Sequence, residues 1–134
     1  MMKRILGTFF IALVLNVVWE NLHSFLYVNY MGGRISEFIL LRAAFWDAVM
    51  ITGICLPFLF VASLKKYDWF IILIGIIISV GIEWWALSTG RWAYNDLMPI
   101  IPFLSVGLTP TIQLGLLGFI SFKIQEHFYK SIVK

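Results

Sequence analysis

The chain has 134 residues, 61% hydrophobic and only 13% charged, against roughly half and a quarter in soluble domains. A single soluble core of this size cannot hide so much apolar surface, so an ordinary soluble domain is excluded and one integral membrane domain over residues 1–134 is expected. The net charge of +3 does not call for nucleic acid; in so apolar a chain it reports orientation in the bilayer.

The expected architecture is all-α, a polytopic bundle of four transmembrane helices. The first span runs from Ile5 to Tyr27. Lys3-Arg4 before an apolar run imitates a signal peptide, but Asn16, Trp19 and Glu20 follow instead of a small-residue cleavage site, so the segment reads as a retained span. Gly32-Gly33 marks the turn to a second span, Phe38 to Leu64, interrupted by Arg42 and Asp47 and kinked at Pro57, which cannot donate its helix bond. The third span, Trp69 to Thr89, stops at Gly90 in the usual place of a left-handed cap. In the fourth, Leu104 to Phe128, Pro110 either kinks the helix or opens its regular part behind Thr109. Cys55 is the single cysteine, which excludes an intrachain disulfide.

Alternating loops place Lys3, Arg4, Lys65, Lys66, Lys123, Lys130 and Lys134 on one side and Arg34, Arg42 and Arg91 on the other. This asymmetry predicts a multi-pass cell-membrane protein with both termini in the cytoplasm. Tyr27, Tyr30, Trp92 and Tyr94 then mark the outer interface, and Tyr67, Trp69 and Tyr129 the inner one.

An ionisable side chain among lipid tails faces the bundle interior and needs a partner or a purpose. Asn16, Glu20 and His23 share one face of the first helix. Counting residues from the outer ends, Glu20, Asp47, Glu83 and Gln113 all fall about 10 to 13 Å deep at 1.5 Å per residue. The inner halves of the spans carry almost no such groups, so one shared polar site in the outer half is expected. Gly75, Ser79 and Glu83 recur every fourth residue, a stripe that admits a neighbouring helix and points Glu83 inward. The structural alternative is interhelical glue, with Glu20 or Asp47 paired to Arg42. Several carboxylates sharing one arginine leave negative charge uncompensated, the condition for a general acid or a proton carrier.

The candidate catalytic residues are therefore Glu20, His23, Asp47 and Glu83, with Asn16, Arg42, Arg91, Trp92, Tyr94 and Gln113 as binding or supporting residues. Glu20-x-x-His23 has the spacing of half a di-iron carboxylate site, but a second such pair is absent, so neither metal nor cofactor is expected. Residues Gly90 to Pro99 stand above the site as a lid or a headgroup contact, and Gly107 to Gln113 frees backbone carbonyls of the kind tolerated where they line a cavity.

With Asn16-Val-Val-Trp19-Glu20, His23 and Leu26-Tyr27, then Asp47, Glu83, Gly90-Arg91-Trp92-Ala93-Tyr94, Met98-Pro99 and Gly107-Leu-Thr-Pro110 with Gln113, the chain resembles a group of short bacterial four-span membrane proteins. The resemblance spans most of the chain and implies a four-span fold; the group brings no assigned activity. A shorter pattern, an intramembrane Glu followed by Gly-x-Tyr-like aromatics, is similar to membrane carotenoid hydratases and cyclases, an analogy of pattern only.

Three functional readings stay open on the sequence. In the first, a lipid or isoprenoid enters from the outer leaflet and exchanges a proton with Glu83 or Glu20, the other groups tuning the exchange. In the second, the polar layer is packing glue in a subunit that binds lipid or assembles with itself or another membrane protein. In the third, the carboxylates carry protons for a small coupled transporter.

Overall fold

The computed structural model describes residues 1–133; Lys134, counted above among the cytoplasmic charges, lies outside them. The chain is mostly helical, with four long helices: α1 (Met2–His23), α2 (Glu37–Phe60), α3 (Phe70–Ser88) and α4 (Leu108–Ile132). Short 3₁₀ turns follow α1 at Ser24–Leu26 and α2 at Ala62–Tyr67. Three stretches, Met2–Leu26, Glu37–Phe60 and Phe70–Ser88, are long and apolar enough to cross a membrane.

Local chemistry sets the helix ends. Ser36 caps α2, its side chain accepting from the Ile39 N–H at 3.4 Å, with Glu37 in the first turn where the helix dipole favours it. Gly90, at φ +70°, closes α3 in the left-handed conformation expected for it. Of the two roles open to Pro110, it takes the second. It is the third residue of α4, in the first turn where a missing N–H costs nothing, so α4 opens there and is not kinked by it. Helix α2 continues past Pro57 for three residues before ending.

The connections on the Gly90 side are not plain loops: they add two short strand pairings to a chain that is otherwise mostly helical, as expected. Strand β1 (Tyr27–Tyr30) pairs antiparallel with β2 (Trp92–Tyr94), with Tyr27 opposite Tyr94 and Tyr30 opposite Trp92. Strand β3 (Ile100–Ile101) pairs with β4 (Val106–Gly107) just ahead of α4. Aromatic residues favour strands, and pairing satisfies backbone groups that would otherwise face an apolar surrounding. The expected belt residues Tyr27, Tyr30, Trp92 and Tyr94 are thus bonded into a cap across the helix ends.

Helix α1 packs against both α2 and α4, and α3 against α4, whereas α2 and α3 make few contacts. The α3–α4 crossing is backbone to backbone: a Cβ on Gly75 would collide with the main chain of Gly115 and Leu114. The stripe Gly75, Ser79, Glu83 therefore faces its neighbours as the four-residue spacing predicts. Ala12, Ala48, Ile51, Cys55, Leu117 and Phe122 fill the middle of the core, while Phe10, Val14, Val18 and Leu22 line an exposed apolar face of α1.

The half of the bundle around Arg4 is more polar than expected. The buried face of α1 reads Arg4, Thr8, Ala12, Asn16, Glu20 at every fourth residue, and α4 buries Ser121, Gln125 and Glu126. Arg4, expected as a free cytoplasmic charge, is 8% exposed. It pairs with Glu126 and donates to the Leu59 carbonyl, and Lys65 Nζ adds a second cation 3.3 Å from Glu126. A charge near a helix end that meets an opposite charge on a neighbouring helix can be buried rather than solvated.

Candidate functional site

The last turn of α1 carries Glu20 and His23 three residues apart on its buried face, where Glu20 Oε2 lies 3.2 Å from His23 Nε2. The other ring nitrogen, Nδ1, is 3.3 Å from the Thr109 hydroxyl at the start of α4. That hydroxyl donates to Met98 Sδ at 3.4 Å, so its oxygen is left to accept from Nδ1–H.

Gln113, on the second turn of α4, joins three helices. Its Nε2 lies 2.7 Å from Glu20 Oε1, 2.8 Å from Asp47 Oδ2 and 2.9 Å from Asn16 Oδ1. Asn16 is anchored one layer deeper by donation to the Ala12 carbonyl at 2.8 Å. A carboxamide nitrogen has two hydrogens, so three acceptors cannot all be satisfied by it. Glu20 and Asp47 press on the same nitrogen and are therefore no further apart than two hydrogen bonds laid end to end. One of the three acceptors is therefore left without a hydrogen from Gln113.

Glu83 forms the opposite wall from α3. It accepts from Trp92 Nε1 at 3.2 Å and from the Tyr94 hydroxyl, whose oxygen in turn accepts from the Gly107 N–H at 3.0 Å. Strand β2 is thereby fastened to α3 and to β4. Burial, with Glu83 beside it, pushes the Tyr94 phenol above its ordinary range, which keeps it a donor.

Between these walls lies a cavity of about 130 Å³. Glu20, His23, Asp47, Glu83 and Gln113 all line it. Ile39, Leu40 and Ala43 of α2 and Ile82 of α3 supply apolar sides, beside the sparsely packed α2–α3 seam. Tyr27, Tyr30 and Trp92 close its capped end. Among the described residues that line it, none is lysine or arginine.

Of the expected supporting residues, Trp92 and Gln113 line this cavity, Asn16 and Tyr94 stand behind it against Gln113 and Glu83, and Arg42 and Arg91 are not brought to it. Arg42 donates to the Tyr30 hydroxyl at 2.7 Å and lies over its ring; five residues before Asp47, it is turned about 140° around the helix from it and pairs with no carboxylate. Arg91 stacks 4.5 Å from the centroid of Trp85. Among the described residues no three His, Cys, Asp or Glu side chains come together in ligand geometry for a metal ion.

Sequence reasoning underrated three features. Ser79, read as a packing residue, lines the cavity; Thr109 is the orienting partner of His23; and Tyr27 and Tyr30 belong to the cavity wall. The signals were present: Ser79 stands one turn before Glu83, and Tyr-Val-Asn-Tyr matches Trp-Ala-Tyr as a pair of aromatic strands.

Neither a family model, nor a curated protein, nor a solved structure matches the chain.

Proposed function

We propose that the protein is a four-span integral protein of the cell membrane, α4 being the fourth span, α2 bent at Pro57 and both termini cytoplasmic. Its cavity in the outer half takes a lipid or isoprenoid from the outer leaflet and exchanges protons with it. The observation that carries this reading is the meeting of Glu20, Asp47, Glu83 and His23 on one cavity that no lysine or arginine among the described residues lines. Three carboxyl groups without a cation hold protons among themselves, and a group that holds a proton beside an apolar ligand is placed to donate it and take it back.

On this reading Glu20 and Asp47, bridged by Gln113, form the proton-holding pair, and His23, oriented by Thr109, relays to Glu20. Glu83, held by Tyr94 and Trp92, acts from the opposite wall. The few contacts between α2 and α3 favour entry from the side, as suits a substrate dissolved in the bilayer. Asn16 positions Gln113 and touches no ligand.

The test is a comparison of membrane lipid extracts by mass spectrometry from cells expressing the wild-type chain, Glu20→Gln or Glu83→Gln at matched levels. Donating a proton and taking one back leaves mass unchanged and moves a double bond, so the reading expects a lipid isomer, separated by chromatography ahead of the mass spectrometer, that depends on the wild-type chain and is lost in both variants. Identical lipid profiles in all three would overturn it.

A further inference from the structure

We propose that the group this cavity recognises is a positively charged nitrogen at the head of an amphiphile, an alkylammonium rather than a phosphate or a neutral hydroxyl. This rests on the reading of the cavity as a lipid site and names the ligand class it would take.

Charge argues first. Among the described residues Glu20, Asp47 and Glu83 line the space without lysine or arginine; of the arginines next to lining residues, Arg42 and Arg91 are committed to Tyr30 and Trp85 and Arg34 is exposed. A phosphate would meet carboxylates with no compensating cation, and like charges in so dry a setting repel strongly. An ammonium brings the missing charge, and its hydrogens can bond the acceptor that Gln113 leaves over.

The aromatic end argues second. The Tyr27 and Trp92 rings stand at 85° with centroids 6.4 Å apart, and Tyr30 lies beside Trp92. The rings pack edge to face and stacked on one another, and where Tyr27 and Trp92 line the cavity their faces attract a cation more than a neutral group.

Ser79 supplies an independent observation. It is 3% exposed, its Oγ has no hydrogen-bond partner, and it lines the cavity. A buried hydroxyl without a partner is uncommon unless something else bonds it, and here it is an acceptor placed for an N–H. The cavity accommodates a head of modest size, and the apolar α2–α3 seam accommodates the chain attached to it.

The experiment uses the full chain in maltoside micelles, titrated with dodecylammonium, dodecanol or dodecyl phosphate and followed by the thermal unfolding midpoint. Dodecylammonium should raise the midpoint with an affinity about tenfold or more above that of dodecanol, and dodecyl phosphate should have no effect. Asp47→Asn and Ser79→Ala should weaken the ammonium, Ile82→Trp should block it by filling the space, and Glu37→Gln, outside the cavity, should leave it unchanged. If dodecanol binds as tightly as dodecylammonium, the charge proposal fails while the lipid site stands. If neither binds, both fail. Ammonium binding that survives Asp47→Asn and Ile82→Trp alike belongs to the surface and overturns the proposal.

Discussion

Gln113 Nε2 lies 2.7 Å from Glu20 Oε1, and through this contact α4 holds the polar end of α1 in place. Asp47 and Asn16 share the same nitrogen, and its two hydrogens serve two of these three acceptors, so Gln113→Leu removes two interhelical hydrogen bonds at once. Interhelical hydrogen bonds in membranes average only about 0.6 kcal/mol each, and the expected loss is about 1 to 2 kcal/mol of unfolding free energy in micelles. Pairing Gln113→Leu with Asn16→Leu should cost less than the two single losses together. Additive losses would show that the two residues do not act as one unit.

The glycines of α3 differ in what surrounds them. Gly75 meets the backbone of Gly115, whereas nothing lies within 4 Å of a Cβ on Gly81. Gly75→Ala forces α3 and α4 apart and should destabilise by about 1 to 3 kcal/mol. Gly81→Ala should be neutral or gain up to about 1 kcal/mol from helix propensity. Unfolding of both variants in the same micelles checks the contrast; equal effects would contradict the close crossing.

Helical character and the common level of the polar groups along the bundle were legible because both follow from linear spacing. A run of apolar residues gives length, and counting at 1.5 Å per residue gives level, which is how Glu20, Asp47, Glu83 and Gln113 could be assigned to one height. Which neighbour each would meet was not legible. Gln113 as the common donor, Thr109 as the partner of His23 and Arg42 as the partner of Tyr30 depend on helix rotation and order around the bundle. The β1–β2 pairing was hidden for a similar reason. Interfacial aromatics and strand aromatics have the same composition, and only the approach of Tyr27 to Tyr94 across the chain distinguishes them. Burial of Arg4 depends on Glu126, at the far end of the sequence.

At the inner end, Arg4 and Glu126 are 8% and 9% exposed. Glu126→Ala leaves a buried guanidinium without its carboxylate, and breaking a buried pair from one side costs about 3 to 5 kcal/mol. The pair Lys123–Asp68 has a lysine side chain 52% exposed, and Lys123→Ala should cost at most about 1 kcal/mol. Arg4→Met with Glu126→Leu should recover most of the loss of Glu126→Ala. If Glu126→Ala is as mild as Lys123→Ala, the inner cluster is solvated rather than buried.

The Tyr94 phenol is held above its ordinary value by burial first and by its hydrogen bond to Glu83 second. The folded chain therefore retains a proton that the unfolded chain gives up above about pH 10. The stability this contributes is complete below that pH and is lost as pH rises from there toward the folded value. Tyr94→Phe removes this titration and should flatten the alkaline limb of stability between about pH 9 and 11.5. An unchanged limb in thermal unfolding would mean that Tyr94 is not shielded.

The most direct test of a proton-holding cavity open to the bilayer is labelling by a lipid-soluble carbodiimide, which reacts with protonated carboxyl groups, followed by peptide mass spectrometry of the reconstituted protein. At neutral pH the adducts should fall on Glu20, Asp47 or Glu83, which line the cavity, and should disappear in Ile82→Trp. Labelling confined to Glu37, Asp68 and Asp96, with those three untouched, would contradict the account.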